Sequence, residues 1–174
     1  ETTLYFSPCT CAMCEQAQFV FIHRHPLEVF LSSVHMANTT YGYMFLQQPT
    51  NDGMLEYILK QGELLLKEYI SCVDDGVVEA GRNLVEVSFE ELTQRPYETI
   101  EKIHNTLDGD KFVFGVGASD AAYPRKLREY CETQLKGYKR NTFDHVQLDE
   151  DVERQLLQRW KFQFDRFGYR MKHT

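Results

Sequence analysis

The segment FVFIHRHPLEVFLSSVH predicts a β-strand that passes through a tight turn into an α-helix. Phe19 to Ile22 form an apolar run of β-forming residues, which favours a strand. Pro26 suits the first helical position because its φ is already helical and its missing N–H needs no partner. In open α/β sheets, ligands bind beyond the carboxyl ends of the strands, and a helix N-terminus there favours anions. The cation in the turn, Arg24, therefore indicates an anion site.

The other elements are predicted from apolar periodicity and from helix start and stop signals. We expect helices over 26–37, 54–72 and 124–135, a strand over 83–88, a helix that opens at Pro96, and a final helix that Asp149 caps and Gly168 ends. Strands joined by helical crossovers imply a parallel sheet, so the predicted class is α/β. Residues 1–17 are expected to be an irregular lead-in and 18–174 a single domain. Two strands make a small sheet, so we expect either further strands in 1–17 and 108–117 or an incomplete domain.

The charge of the 174-residue chain limits the class of partner. A net charge of −7 argues against non-specific binding of nucleic acid. Residues 1–124 carry a balance of −11 and residues 125–174 a balance of +4, so the C-terminal part can serve an anionic small ligand. Solvated helix faces account for most of these charges.

The sequence contains neither an 18-residue apolar span nor a signal-peptide pattern, so we expect no membrane segment in this chain.

Three of the five cysteines lie close together near the start of the chain, at Cys9, Cys11 and Cys14. A structural zinc site needs four ligands, and neither a second cysteine pair nor a nearby histidine completes this set. We therefore expect the cluster to hold no metal.

The segment from Phe19 to His35 resembles the 3′-phosphate-binding motif of the sulfotransferase family. In that motif a strand ends in Arg and a Ser follows eight residues later, positions that Arg24 and Ser32 occupy here. The resemblance implies that this pair holds the 3′-phosphate of the sulfuryl donor, 3′-phosphoadenosine 5′-phosphosulfate (PAPS). The chemistry agrees, because the arginine fork suits phosphate and eight residues span just over two helical turns. The alternatives are an ion pair between Arg24 and Glu28 and, for the hydroxyl, Ser33.

Two further segments resemble the same family in the same order. LVEVSFEELTQRPYETIEKIHNTL is similar to a strand, a turn and a Pro-started helix, and Phe89 stands where the family often has a Tyr near the adenine. GYKRNTFDHVQLDEDVERQLLQRWKFQFDRFGY is similar to the C-terminal segment, in which a basic loop closes over the 3′-phosphate. Lys139 and Arg140 would form that loop. The resemblance implies a three-layer α/β/α fold of the P-loop nucleoside-triphosphate-hydrolase type with a parallel sheet.

The resemblance also implies the reaction, transfer of a sulfuryl group from PAPS to an acceptor hydroxyl or amine. The family's phosphate loop carries a catalytic Lys, yet none of the ten glycines here lies in a Gly-rich loop followed by Lys and Ser or Thr. We therefore expect this chain alone to transfer no sulfuryl group, and we assign no catalytic residue, including His23, His25 and His35. The alternatives are a non-catalytic nucleotide-binding or interaction domain and, less favoured, a nucleotide kinase relative.

Overall fold

The computed structural model of the chain describes residues 17–47, 49–107, 123–135 and 148–170. Its elements are β1 (Phe19–His23), α1 (Pro26–Thr39), α2 (Asn51–Asp74), β2 (Leu84–Ser88), α3 (Phe89–Gln94), α4 (Pro96–Leu107), α5 (Tyr123–Thr133) and α6 (Glu150–Phe167). A short 3-10 turn, Tyr41–Tyr43, follows α1. None of the described helices is both long and apolar enough to cross a membrane.

The chain divides into two compact units. The helical unit comprises, among the described residues, 24–47, 49–72 and 148–170, and so contains α1, α6 and nearly all of α2. The sheet unit comprises 17–23, 73–107 and 123–135, and so contains both strands with α3, α4 and α5.

The sheet unit is built on a parallel pair of strands. β1 and β2 run in register from Phe19 opposite Leu84 to His23 opposite Ser88. The mixed α/β class and the parallel pairing predicted from the sequence are confirmed. The further strands considered for 1–17 and 108–117, and the cysteine cluster at 9–14, fall on residues outside the described part of the chain, apart from residue 17, which lies in no strand.

The core of the sheet unit lies between β2 and α4. Val85 and Val87 of β2 are buried, and they cluster with Leu107 and with the partly buried Ile103 on α4. The pattern FVFIH of β1 alternates between half-buried and exposed side chains, as a strand with period two does.

The predicted turn after β2 is a short helix, α3. A capping box starts it: the Ser88 hydroxyl accepts the Glu91 N–H at 3.0 Å, and the Glu91 carboxylate accepts the Ser88 N–H at 3.0 Å. These two bonds satisfy donors that a helix start leaves unpaired, so the chain turns from strand to helix without an intervening loop. The backbone bond from Ser88 lowers the pKa of Glu91.

The core of the helical unit lies where α1, α2 and α6 meet. Its buried apolar residues are Phe30, Leu31, Ala37, Ile58, Leu59, Leu156, Trp160 and Phe164. Trp160 is 1% exposed, and its indole N–H donates to the Leu59 carbonyl at 2.9 Å, so the ring is part of this core. Helix α6 starts and ends where the sequence predicted, with Asp149 accepting the Asp151 N–H and Gly168 in the left-handed region at φ 69°.

A charged clamp joins α6 to α2 beside this core. The Arg159 guanidinium donates to Glu63 at 2.8 and 3.2 Å and to Glu56 at 2.5 and 3.2 Å. Glu63 is the better shielded partner, at 20% side-chain exposure against 61% for Glu56. The bonds from Arg159 lower the pKa of Glu63 below its ordinary value, and they raise the pKa of Arg159.

We expect the protein to lose stability in acid because of this ion pair. Folding lowers the pKa of Glu63, so the contribution of its ionised carboxylate to stability is fully present above about pH 4.5 and is lost as the pH falls through the folded-state pKa. We expect Glu63→Gln to lower the free energy of unfolding by about 1 kcal/mol at neutral pH, and this difference should shrink on acidification. Urea unfolding of both proteins between pH 7 and pH 3 measures it. A stability difference between the two proteins that does not change with pH would show that the Glu63 charge does not cause it.

A glycine allows α2 and α6 to approach closely. A methyl group placed on Gly62 would overlap the Trp160 indole ring. Helix propensity alone favours alanine over glycine by about 1 kcal/mol, so an ordinary helical site would gain stability. At Gly62 we expect the opposite, a loss of about 1–3 kcal/mol from overpacking. Thermal and urea unfolding measure it. Gly53→Ala at the start of the same helix is the control, since the added methyl would meet only the Thr50 side chain.

Candidate functional site

The predicted anion site lies at the turn between β1 and α1. Strand β1 ends at His23 and helix α1 begins at Pro26, so Arg24 and His25 form the whole connection. His25 is the N-cap residue, with φ −51° and ψ 124°, and its Nδ1 accepts the Leu27 N–H at 3.3 Å. Pro26 has no N–H to satisfy, so the His25 ring accepts the hydrogen bond of Leu27, whose N–H is the first one that the helix offers.

Arg24 forms the ion pair that the sequence raised as an alternative. Its Nε–H donates to the Glu28 carboxylate at 2.6 Å, and the two side chains are 21% and 28% exposed. The bond lies along the first turn of α1, where a carboxylate also favours the positive end of the helix dipole. A phosphate that binds Arg24 would therefore share the guanidinium with Glu28 or displace the carboxylate.

The two serines of α1 differ in their hydrogen bonding. The Ser33 hydroxyl donates to the Val29 carbonyl at 2.9 Å, so it is used within the helix. Ser32 is half-buried, and the described residues provide no hydrogen-bond partner for its hydroxyl. The difference favours Ser32 over Ser33 as the hydroxyl that a ligand can recruit.

The other three predicted contact residues lie in the sheet unit or outside the described residues. Arg24 and Ser32 belong to the helical unit, whereas Phe89 belongs to the sheet unit, where it is half-buried as the first residue of α3. Lys139 and Arg140 fall outside the described residues. The structure thus places Arg24 just before α1 and Ser32 within that helix, and their roles and those of the other three residues stay predictions.

Sequence reasoning missed the part that His25 plays in this turn. The residues that usually cap helices through their side chains are Ser, Thr, Asp and Asn, and histidine is not among them. The only available signal was its position immediately before a Pro that starts a helix.

The family model described as "Sulfotransferase family" matches residues 8–111, more than half of the chain. The chain belongs to the sulfotransferase family. The matched range contains Arg24, Ser32 and Phe89, while Lys139 and Arg140 lie beyond it. The family resemblance inferred from the three sequence segments is therefore confirmed.

Two curated sulfotransferases are similar over most of the chain. Both are called omega-hydroxy-beta-dihydromenaquinone-9 sulfotransferase Stf3, one from Mycobacterium bovis and one from Mycobacterium tuberculosis. Each is 28% identical over an alignment of 165 positions, which covers 91% of this sulfotransferase chain and 37% of the relative. The chain thus spans little more than a third of the length of these relatives. No solved structure matches it significantly.

Proposed function

We propose that this sulfotransferase chain binds PAPS by its 3′-phosphate and belongs to an enzyme that transfers the sulfuryl group to an acceptor. The observation that carries the proposal is the placement of Arg24 at the N-terminus of α1, directly after a parallel strand. Ser32 lies within the same helix, and its hydroxyl has no hydrogen-bond partner among the described residues. The two parallel strands also support the finer fold that we propose, a three-layer α/β/α domain of the P-loop type.

The energies favour phosphate over Glu28 as the partner of Arg24. A partly exposed ion pair contributes roughly 0.2–1 kcal/mol, whereas charge-assisted hydrogen bonds to a shielded phosphate contribute about 1.5–3 kcal/mol. A phosphate monoester carries nearly two charges and three acceptor oxygens, and it also gains from the positive end of α1. The Arg24–Glu28 pair therefore suits a resting arrangement that holds the guanidinium along the first turn of α1 until a phosphate binds.

The proposed reaction is an in-line displacement at sulfur. The acceptor oxygen forms a bond to sulfur, the bond from sulfur to the bridging 5′-phosphate oxygen breaks, and adenosine 3′,5′-bisphosphate leaves. The acceptor hydroxyl releases its proton to the solvent, so the products are the sulfate ester, adenosine 3′,5′-bisphosphate and one proton. Arg24 and Ser32 hold the far end of the donor, so their contribution is orientation of the reacting group rather than stabilisation of the charge that develops on the leaving phosphate.

We propose a hydroxyl rather than an amine as the acceptor. By name, the two relatives are sulfotransferases of an omega-hydroxy compound, omega-hydroxy-beta-dihydromenaquinone-9. This supports an alcohol oxygen as the nucleophile.

Recognition of the 3′-phosphate is tested with two nucleotides that differ only in that group. We expect isothermal titration calorimetry of the 174-residue chain to give at least 10-fold tighter binding of adenosine 3′,5′-bisphosphate than of adenosine 5′-phosphate. Equal affinities, or no binding of the bisphosphate, would contradict the proposed site.

A further inference from the structure

His25 uses both nitrogens of its ring, and the two bonds go to different segments of the chain. Nδ1 accepts the Leu27 N–H at 3.3 Å, so it carries no proton. Nε2 lies 3.0 Å from the carbonyl oxygen of Arg170, which can only accept, so Nε2 is the donor. A single neutral tautomer, with the proton on Nε2, satisfies both partners.

The ring also packs against the end of α6. It meets Phe164 edge-on at a centroid distance of 5.6 Å and Tyr169 at 5.2 Å. Gly168 adopts the left-handed conformation that reverses the chain here, and the Tyr169 N–H returns to the Phe164 carbonyl at 3.0 Å. This turn presents both the Tyr169 ring and the Arg170 carbonyl to His25.

An ordinary cap would explain only one of these contacts. Asn, Asp or Ser at position 25 could accept the Leu27 N–H, but their side chains are too short to reach a second segment as well. The imidazole is long enough to cap α1 on one side and to bond the residues after α6 on the other.

We infer that His25 is a positioning residue for the 3′-phosphate site. It fixes the N-terminus of α1, and with it the neighbouring Arg24, against the C-terminal turn of α6, residues 164–170. Phosphate affinity therefore depends on the residues at the end of α6 as well as on Arg24 and Ser32. This inference rests on the proposed function.

Two substitutions distinguish the effect of the helix cap from the effect of the bond to Arg170. His25→Ala removes the cap and the link to Arg170, and we expect it to weaken binding of adenosine 3′,5′-bisphosphate roughly 3- to 10-fold while binding of adenosine 5′-phosphate is unchanged. His25→Asn keeps an acceptor for the Leu27 N–H and loses the link, so we expect an intermediate loss. Calorimetry is carried out below the unfolding temperature of each variant.

A control distinguishes positioning from general loss of stability. Arg159→Met breaks the clamp between α2 and α6, away from the turn, and should lower the unfolding temperature without changing the ratio of the two nucleotide affinities. A folded His25→Ala protein with the wild-type ratio would overturn the inference, and so would an equal change of the ratio in Arg159→Met. If the wild-type chain itself does not discriminate between the nucleotides, the proposed function fails and the inference fails with it.

The tautomer provides a test that needs no variant. Nitrogen NMR of the neutral ring in the wild-type chain should show His25 protonated on Nε2, and bisphosphate should slow hydrogen exchange of the Leu27 amide. A ring protonated on Nδ1, or a Leu27 amide whose exchange is indifferent to bisphosphate, would contradict the assigned role.

Discussion

Replacing Trp160 by alanine is expected to lower the free energy of unfolding by about 3–5 kcal/mol, as removal of a large buried aromatic ring usually does. The indole is 1% exposed and meets the Phe30 ring edge-on at 6.0 Å. Its N–H donates to the Leu59 carbonyl, which would lose that buried partner. Folded proteins are stable by only about 5–15 kcal/mol, so this one change removes a large part of the total.

Urea unfolding followed by circular dichroism measures this effect, because the variant has no tryptophan fluorescence. Trp160→Phe is the graded control: it keeps an aromatic ring and loses the hydrogen bond, so its loss should be smaller. Tyr43→Ala, at a residue 92% exposed, is the surface control and should change stability by less than about 0.5 kcal/mol. If Trp160→Ala were as stable as the wild type, α1, α2 and α6 could not form the core described above.

The elements that the sequence predicted correctly have their signals within a few residues. Pro26 marks the start of α1, and Asp149 and Gly168 mark the two ends of α6, because caps and breakers act on the adjacent turn. The strands followed from short runs of β-forming residues. Helix α3 was missed, although its capping residues Ser88 and Glu91 are local, because the family resemblance suggested a turn at that point.

Contacts between distant segments could not be predicted. Arg159 and Glu63 are 96 residues apart, and periodicity shows which face of a helix is apolar without showing which helix covers it. The same limit applies to Gly62, whose reason for lacking a side chain is the Trp160 ring on α6.

For the candidate site, Arg24 and Ser32 were predicted from the resemblance to the sulfotransferase motif, in which a Ser follows the strand-end Arg by eight residues. The pair between Arg24 and Glu28 was also foreseeable, because residues four apart are neighbours on a helix. The link from His25 to Arg170 was not, since it joins residues 145 apart.

Arg24→Ala is expected to weaken binding of adenosine 3′,5′-bisphosphate by roughly 10-fold or more. The charge-assisted bonds lost contribute about 1.5–3 kcal/mol, and each 1.4 kcal/mol is a factor of ten. Binding of adenosine 5′-phosphate should change little, since this ligand has no 3′-phosphate for Arg24 to hold. The selectivity between the two nucleotides should therefore fall together with the affinity.

Two matched variants separate phosphate binding from the ion pair within α1. Arg24→Lys keeps the charge but loses the planar fork, so its affinity should lie between those of the wild type and Arg24→Ala. Glu28→Gln breaks the ion pair, retains an acceptor for the Arg24 Nε–H and removes a negative charge from the site. We expect it to bind the bisphosphate at least as tightly as the wild type.

The most direct test is a calorimetric titration of wild-type and Arg24→Ala protein with adenosine 3′,5′-bisphosphate, after circular dichroism has shown that both are folded. We expect measurable binding by the wild type and a dissociation constant at least 10-fold larger for Arg24→Ala. The same dissociation constant for both proteins would contradict this expectation, because Arg24 would then contribute nothing to nucleotide binding.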